Sequence, residues 1–235
     1  MATKRDIHPF VVLRWRAKAL ASTFALHATA DSARVAGVIG VFVGVLALIW
    51  FGYAKCDCLF KQYDDAYITF RYAYNWAEGR GLVFNEGEPT DSASSFLYTV
   101  VLTAIYRFGW HDLPRAATIL GTVCAAIASA VTYLACLTRT QRPLLALFVS
   151  IALGGHGLIS GWSVSGMETL FYTALVSLAA RRLFIVARFG WPEVVLVTAI
   201  VLTRYEGAIV LAAASLIWLN RFRLLGSNCS GWVLS

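Results

Sequence analysis

Three groups of charged side chains stand where an apolar chain has least reason to keep them. Asp64 and Asp65 are followed by Arg71, Glu168 stands behind Gly166 at the start of an apolar run, and Arg204 and Glu206 interrupt another apolar run of 26 residues. A carboxylate can act as a general base toward a hydroxyl, and a guanidinium can grip two oxygens of a phosphate with parallel N–H donors. Together such groups would deprotonate an attacking hydroxyl and hold a departing phosphate. Each also has a plainer reading. Asp64 can cap a helix, with its carboxylate at the positive end of the helix dipole. Glu168 can either cap the next helix or project into a site. Arg204 and Glu206 can pair with another helix; left unpaired within the membrane, each would cost several kcal/mol, so they are expected to face a cavity. Two residues apart on a regular helix they diverge by about 200°, so a direct ion pair between them requires local unwinding, which Gly207 permits.

The elements that must carry these residues follow from periodicity. Tyr67, Phe70 and Tyr74 recur at three- and four-residue spacing, which predicts a helix from about Asp65 with Asp64 as its N-cap. Arg71, about two turns beyond Asp64, falls on roughly the same face. Gly79 and Gly81 supply a stop, Leu82-Val83-Phe84 is a short apolar run, and residues 85–89 read as a tight turn.

The chain is 235 residues long, 59% hydrophobic and only 14% charged, with a mean hydropathy of +0.66. That leaves too little polar surface to cover a water-soluble globule, and predicts an all-α, polytopic membrane bundle. The net charge of +7 comes from bases scattered at the ends of apolar runs, where they orient spans, and no basic groove interleaved with aromatics is visible. Nucleic acid is therefore not an expected partner.

Residues 1–34, with six bases against two acids, read as a cytoplasmic segment. Residues 35–53 are uncharged and make about 28 Å of helix, enough for a first crossing. Residues 54–94 hold seven acids and four bases and read as a large external loop carrying interfacial helices. Residues 95–109 are short for a span, while 116–137, 144–161, 170–188 and 194–219 are further candidates within a transmembrane module ending near residue 219. If every segment crosses, Glu168 lies inside; if 95–109 does not, Arg139, Arg142, Arg181, Arg182 and Arg188 lie inside and Glu168 emerges outside, near Asp64. We prefer the second count. The tail, 220–235, shows neither a helix pattern nor a loop logic from residue 224, as a truncated end would. Cys56-x-Cys58 is closer spaced than a zinc or redox pair, and His156, among glycines, reads as a hydrogen-bonded break in a helix.

The strings Asp64-Asp65-Ala66-Tyr67-Ile68, Arg71-Tyr72-Ala73, Asn75, Gly79, Gly81-Leu82-Val83-Phe84-Asn85, Gly87-Glu88 and Ser95-Phe96-Leu97-Tyr98 resemble the first external loop of GT-C membrane glycosyltransferases, most of all the branch with the actinobacterial cell-wall arabinofuranosyltransferases. Ser165-Gly166-Met167-Glu168-Thr169 is similar to that family's second acidic motif, and Arg204-Tyr205-Glu206-Gly207 to its Arg-Pro-Glu-Gly, with Tyr205 in place of proline. Asp91-Ser92-Ala93-Ser94 stands where the branch more often has Glu-Gly-Tyr-Thr. The resemblance implies a multi-pass enzyme of the plasma or inner membrane that takes a sugar, arabinofuranose or mannose, from a polyprenyl-phosphate donor. The acceptor would be an envelope glycan on the outer face, with inversion at the sugar. It further implies Asp64 or Asp65 as base, Arg204 and Arg71 on the phosphate, and Glu88, Asp91, Glu168 and Glu206 around the substrates. A divalent cation, magnesium or manganese, serves some members and not others; Asp65 and Glu168 are the carboxylates that would take one. The alternative is a truncated or non-catalytic membrane protein serving as a lipid-binding, transport or partner subunit.

Overall fold

The computed structural model describes residues 31–50, 62–87, 95–186 and 190–229, the last with side chains to residue 219. All regular elements among them are helical: α1 (Asp31–Trp50), α2 (Asp64–Ala77), α3 (Phe96–Arg107), α4 (Leu113–Thr140), α5 (Pro143–Gly154), α6 (Gly157–Val164), α7 (Thr169–Ala180) with a π-helical continuation (Arg181–Ile185), α8 (Trp191–Thr203) and α9 (Gly207–Cys229). α1 and α4 are long and apolar enough to cross a membrane, and the α5–α6 pair makes a third candidate if its 53° bend lies within one span.

The central post is α4. Asp112 caps it by accepting the Arg115 N–H at 3.1 Å, Pro114 sits in the first turn where a missing N–H costs nothing, and Gln141 ends it in the left-handed conformation. Its buried face is largely Ala, Gly, Ser and Thr, so neighbouring backbones come close. A Cβ added at Gly121 would meet the Ser163 carbonyl oxygen at 2.1 Å, and one at Gly154 would meet Val45 at 2.4 Å. α1 presents Val41, Val45 and Ile49, spaced by four, to this post and leaves Val35, Ile39, Val43 and Leu48 exposed, the division expected of a helix at a lipid boundary.

The two ends of α4 define two ends of the bundle, about 42 Å apart at helical rise. At its start, the Gln62 amide donates to Pro114 O at 3.0 Å and Thr118 Oγ1 at 2.7 Å. At its finish, Arg139 donates to Phe184 O at 3.0 Å, and nearby Arg182 pairs with the buried Glu193. α4 runs away from Gln62, α5 and α6 return, and α7 runs away again. α2 and α3 lie together at the Gln62 end: Thr103 Oγ1 reaches Ala73 O at 3.4 Å, and Arg107 donates to the carbonyls of Trp76 and Ala77.

Residues 95–109, already short for a span by sequence, form α3, whose 12 residues are too few to cross. Two other expected spans take a different form. Residues 144–161 become the bent α5–α6 pair, broken at the anticipated place: His156 caps α6 by accepting the Leu158 N–H on Nδ1 at 3.3 Å. Residues 194–219 do not form one span. α8 stops at Thr203, Arg204 is extended (φ −149°, ψ 144°), and α9 folds back so that Val210 and Ala214 join Val197 and Ile200 in one apolar cluster. Gly207 makes the corner possible, because a Cβ there would lie 2.7 Å from Ile200 O. The expected irregular tail is helical as far as Cys229.

Candidate functional site

Asp64 does not cap α2. Tyr63 holds the N-cap position in extended backbone (φ −72°, ψ 149°) with no side-chain cap bond, and Asp64 and Asp65 both fall in the first turn. Their exposed carboxylates still face the positive end of the helix dipole. Asp64 and Arg71 line one groove of about 630 Å³ between α2, the Phe84 segment and the α3–α4 turn. Its walls are aromatic, with Tyr67, Phe70, Tyr74, Phe84 and Tyr106, and His111 stands at its edge. Asp65 does not line it.

Arg71 is held in place. Its Nε donates to Phe84 O at 2.8 Å, its Nη2 to Asn85 Oδ1 at 3.1 Å, and its guanidinium lies 4.9 Å from the Phe84 ring centre. Neither hydrogen bond uses Nη1. Buried Asn75 donates to Val83 O and Phe84 O, both at 2.9 Å, and Arg80 pairs with Glu86 at 2.8 Å, so residues 83–86 are tied along α2.

The loop carrying Glu168 docks against the start of α2. The Tyr63 N–H donates to Ser165 O at 3.1 Å, and the buried Tyr98 hydroxyl donates to Gly166 O at 3.0 Å. Gly166 has φ +80°, and a Cβ there would meet Gln62 Cγ at 2.5 Å and Ala66 Cβ at 3.1 Å. Gly79 has nearly the same φ, +81°, but open space around it. Gly166→Ala should therefore destabilise by about 2–3 kcal/mol and Gly79→Ala by about 1 kcal/mol. Denaturant unfolding of the two variants in detergent checks this, and equal losses would mean that the packing at Gly166 carries nothing.

Glu168 occupies the N-cap position of α7 without a side-chain cap bond; its buried carboxylate turns to Arg204 instead. Arg204 Nη1 donates to Glu168 Oε1 at 3.1 Å, and its Nη2 and Nε donate to the two Glu206 oxygens at 3.1 and 3.2 Å. The unwinding that a direct Arg204–Glu206 pair demands has occurred. That bidentate hydrogen bond holds the Glu206 carboxyl below the ordinary carboxylate range. Arg204 thus sits at a turn beside two glutamates, and the trio carries a net charge of −1 when ionised.

Two clusters result, Asp64 with Arg71 and His111 in the groove, and Glu168 with Arg204 and Glu206 at the α8–α9 corner, joined through the backbone of residues 163–168. Glu88 and Asp91 lie outside the described residues. Among the described residues no three His, Cys, Asp or Glu side chains converge as metal ligands would, and Asp65 and Glu168 do not share a site of that kind. Sequence reading gave Gln62, Tyr98 and His111 no role of their own, Tyr98 standing only within the resembling string. The first two are polar groups within apolar packing, whose role depends on partners 50 to 70 residues away; His111 carries no local signal at all. No protein-family model, characterised protein or solved structure matches the chain.

Proposed function

We propose that this chain is a membrane glycosyltransferase module that moves a sugar from a polyprenyl-phosphate donor to an acceptor hydroxyl at the outer face of the membrane. The observation that carries the reading is the convergence of three polar motifs, from residues 64–71, 165–168 and 204–206, at one end of a bundle with apolar, membrane-compatible helices. Asp64 takes the proton of the acceptor hydroxyl. The acceptor oxygen bonds to the anomeric carbon as the bond to phosphate oxygen breaks, and the phosphate leaves with the electron pair, so the sugar inverts. Arg71 faces the groove with Nη1 outside its two hydrogen bonds and takes the phosphate contact. Arg204 is neutralised by its glutamates and serves to position Glu168. The test is transfer from a polyprenyl-phosphate sugar donor by purified protein in nanodiscs, and donor affinity that falls in Arg71→Ala but not in Arg204→Ala.

In this reading residues 1–34 are cytoplasmic and the loop around Glu86 is external, since Tyr63 and Ser165 meet at the end of α4 opposite Arg139. A thiol-reactive, membrane-impermeant label added to intact cells should modify Glu86→Cys and spare Ala2→Cys, each in a background free of other cysteines. Modification of Ala2→Cys alone would reverse the orientation.

One observation favours a second reading, that of a non-catalytic membrane subunit. An arginine already paired with two glutamates is what a purely structural corner would also contain. Absence of transfer under conditions where the folded protein binds no donor would favour it.

A further inference from the structure

The other end of α4 carries an excess of positive charge. Arg34 lies near the start of α1, where Gly37 packs on Tyr133, while Arg139, Arg142, Arg181 and Arg182 stand where α4 and α7 finish. Two carboxylates answer these five arginines. Asp31 pairs with Arg34 at 3.4 Å, and the buried Glu193 pairs with Arg182. Arg139, Arg142 and Arg181 have no carboxylate partner among the described residues. Bases at helix C-termini offset the helix dipole and orient spans, which is account enough for the exposed Arg139 and Arg142. It does not account for Arg181. Leu170 and Ala174 pack toward α4, and Arg181 follows seven residues after Ala174 on the same helical face, while Ala179 and Leu183 face α8. Arg181 therefore enters the seam between α7 and α4, and its Nε is buried there without a hydrogen-bond partner. Such a donor is rare in a folded protein. Arg139 closes the same seam from α4: its Nη2 donates to Phe184 O at 3.0 Å, within a turn of Arg181, and its Nε and Nη1 make no hydrogen bond among the described residues.

We infer that this end of the bundle binds the phosphate group of an anionic phospholipid, with Arg181 and Arg139 as its donors and Arg142 at its edge. A phosphate supplies the acceptor oxygens that a buried Nε lacks and that a guanidinium fork matches in shape. The surroundings select a lipid over a free anion. Phe184, whose carbonyl Arg139 holds, is 52% exposed, and on α5, just beyond Arg142, Leu144 is 81% and Phe148 71% exposed. An acyl chain hanging from a phosphate held by the arginines would lie on these side chains, whereas a soluble anion makes no use of them. The site is separated from Asp64 and Arg71 by the length of α4, so the inference stands apart from the transferase reading.

The test is native mass spectrometry of the full chain in detergent, titrated with phosphatidylglycerol or phosphatidylcholine. Phosphatidylglycerol should bind about tenfold more tightly, and Arg181→Gln and Arg139→Gln should each weaken its binding by about fivefold. Arg34→Gln removes the same charge from the same end but from an arginine that already has its carboxylate, and should stay within about twofold of the parent. Equal binding of the two lipids would overturn the inference. So would equal losses in all three variants, since that is the mark of diffuse surface charge, and so would full displacement of phosphatidylglycerol by millimolar inorganic phosphate, since the ligand would then be a free anion. The exposed Arg139→Gln, compared with Arg34→Gln, keeps the test decisive even if Arg181→Gln lowers the melting temperature. Sugar transfer is not among the readouts, so either proposal can fail without the other.

Discussion

Asp64→Asn should lower glycosyl transfer by about 10²- to 10⁴-fold while leaving the protein folded and inserted. The substitution keeps shape and removes the basic lone pair. Asp64 makes no cap bond and is exposed, so no hydrogen bond of the fold is lost; only its favourable placement at the helix dipole goes, about 0.3–1 kcal/mol. Asp65→Asn is the control. Asp65 shares the first turn but does not line the groove, so its variant should stay within a few-fold of the parent. Initial rates with a polyprenyl-phosphate sugar donor, measured beside thermal unfolding, decide the matter. Full activity in Asp64→Asn with loss in Asp65→Asn would exchange their roles.

The second large effect is on stability. Arg204→Ala strands the buried Glu168 carboxylate, and breaking a buried pair from one side costs about 3–5 kcal/mol; with the guanidinium about one third exposed, about 3 kcal/mol is expected here. Arg204→Lys retains a charge but not the fork that reaches both glutamates, and should fall between. Adding Glu168→Gln to Arg204→Ala should recover part of the loss, because the stranded charge is then gone. The pH dependence has a definite sign. Glu206 has its carboxyl held below the ordinary range by Arg204, so its contribution is present above the unfolded-state value and is lost as pH falls through the lowered one. Arg204→Ala should flatten that acid-side decline. Equal acid sensitivity in parent and variant, with no recovery in the double variant, would show that the trio is not coupled.

Much of this protein was legible in its sequence because the signals were local. Uncharged runs declared α1 and α4, the spacing of Tyr67, Phe70 and Tyr74 declared α2, and glycines beside His156 announced the break between α5 and α6. Those signals depend on hydrophobic periodicity and on breaker residues, which act within a turn or two of themselves. The three polar motifs were also visible, since a charge in an apolar run is conspicuous whatever it does.

Tertiary structure alone decided what those charges do. Residues 194–219 have the composition of one span, yet Arg204 forms a corner that Gly207 permits, and Glu168, 36 residues earlier, together with Glu206 holds its guanidinium there. Whether Glu168 capped its helix or left it could not be read from spacing, as the competing partner belongs to another element. The meeting of Tyr63 with Ser165 and of Tyr98 with Gly166, and the gathering of Tyr106 and His111 opposite α2, are long-range contacts. Sequence periodicity records which face of a helix is apolar but not which other helix will cover it, and for that reason the aromatic groove became visible only once α2, α3 and α4 were packed together.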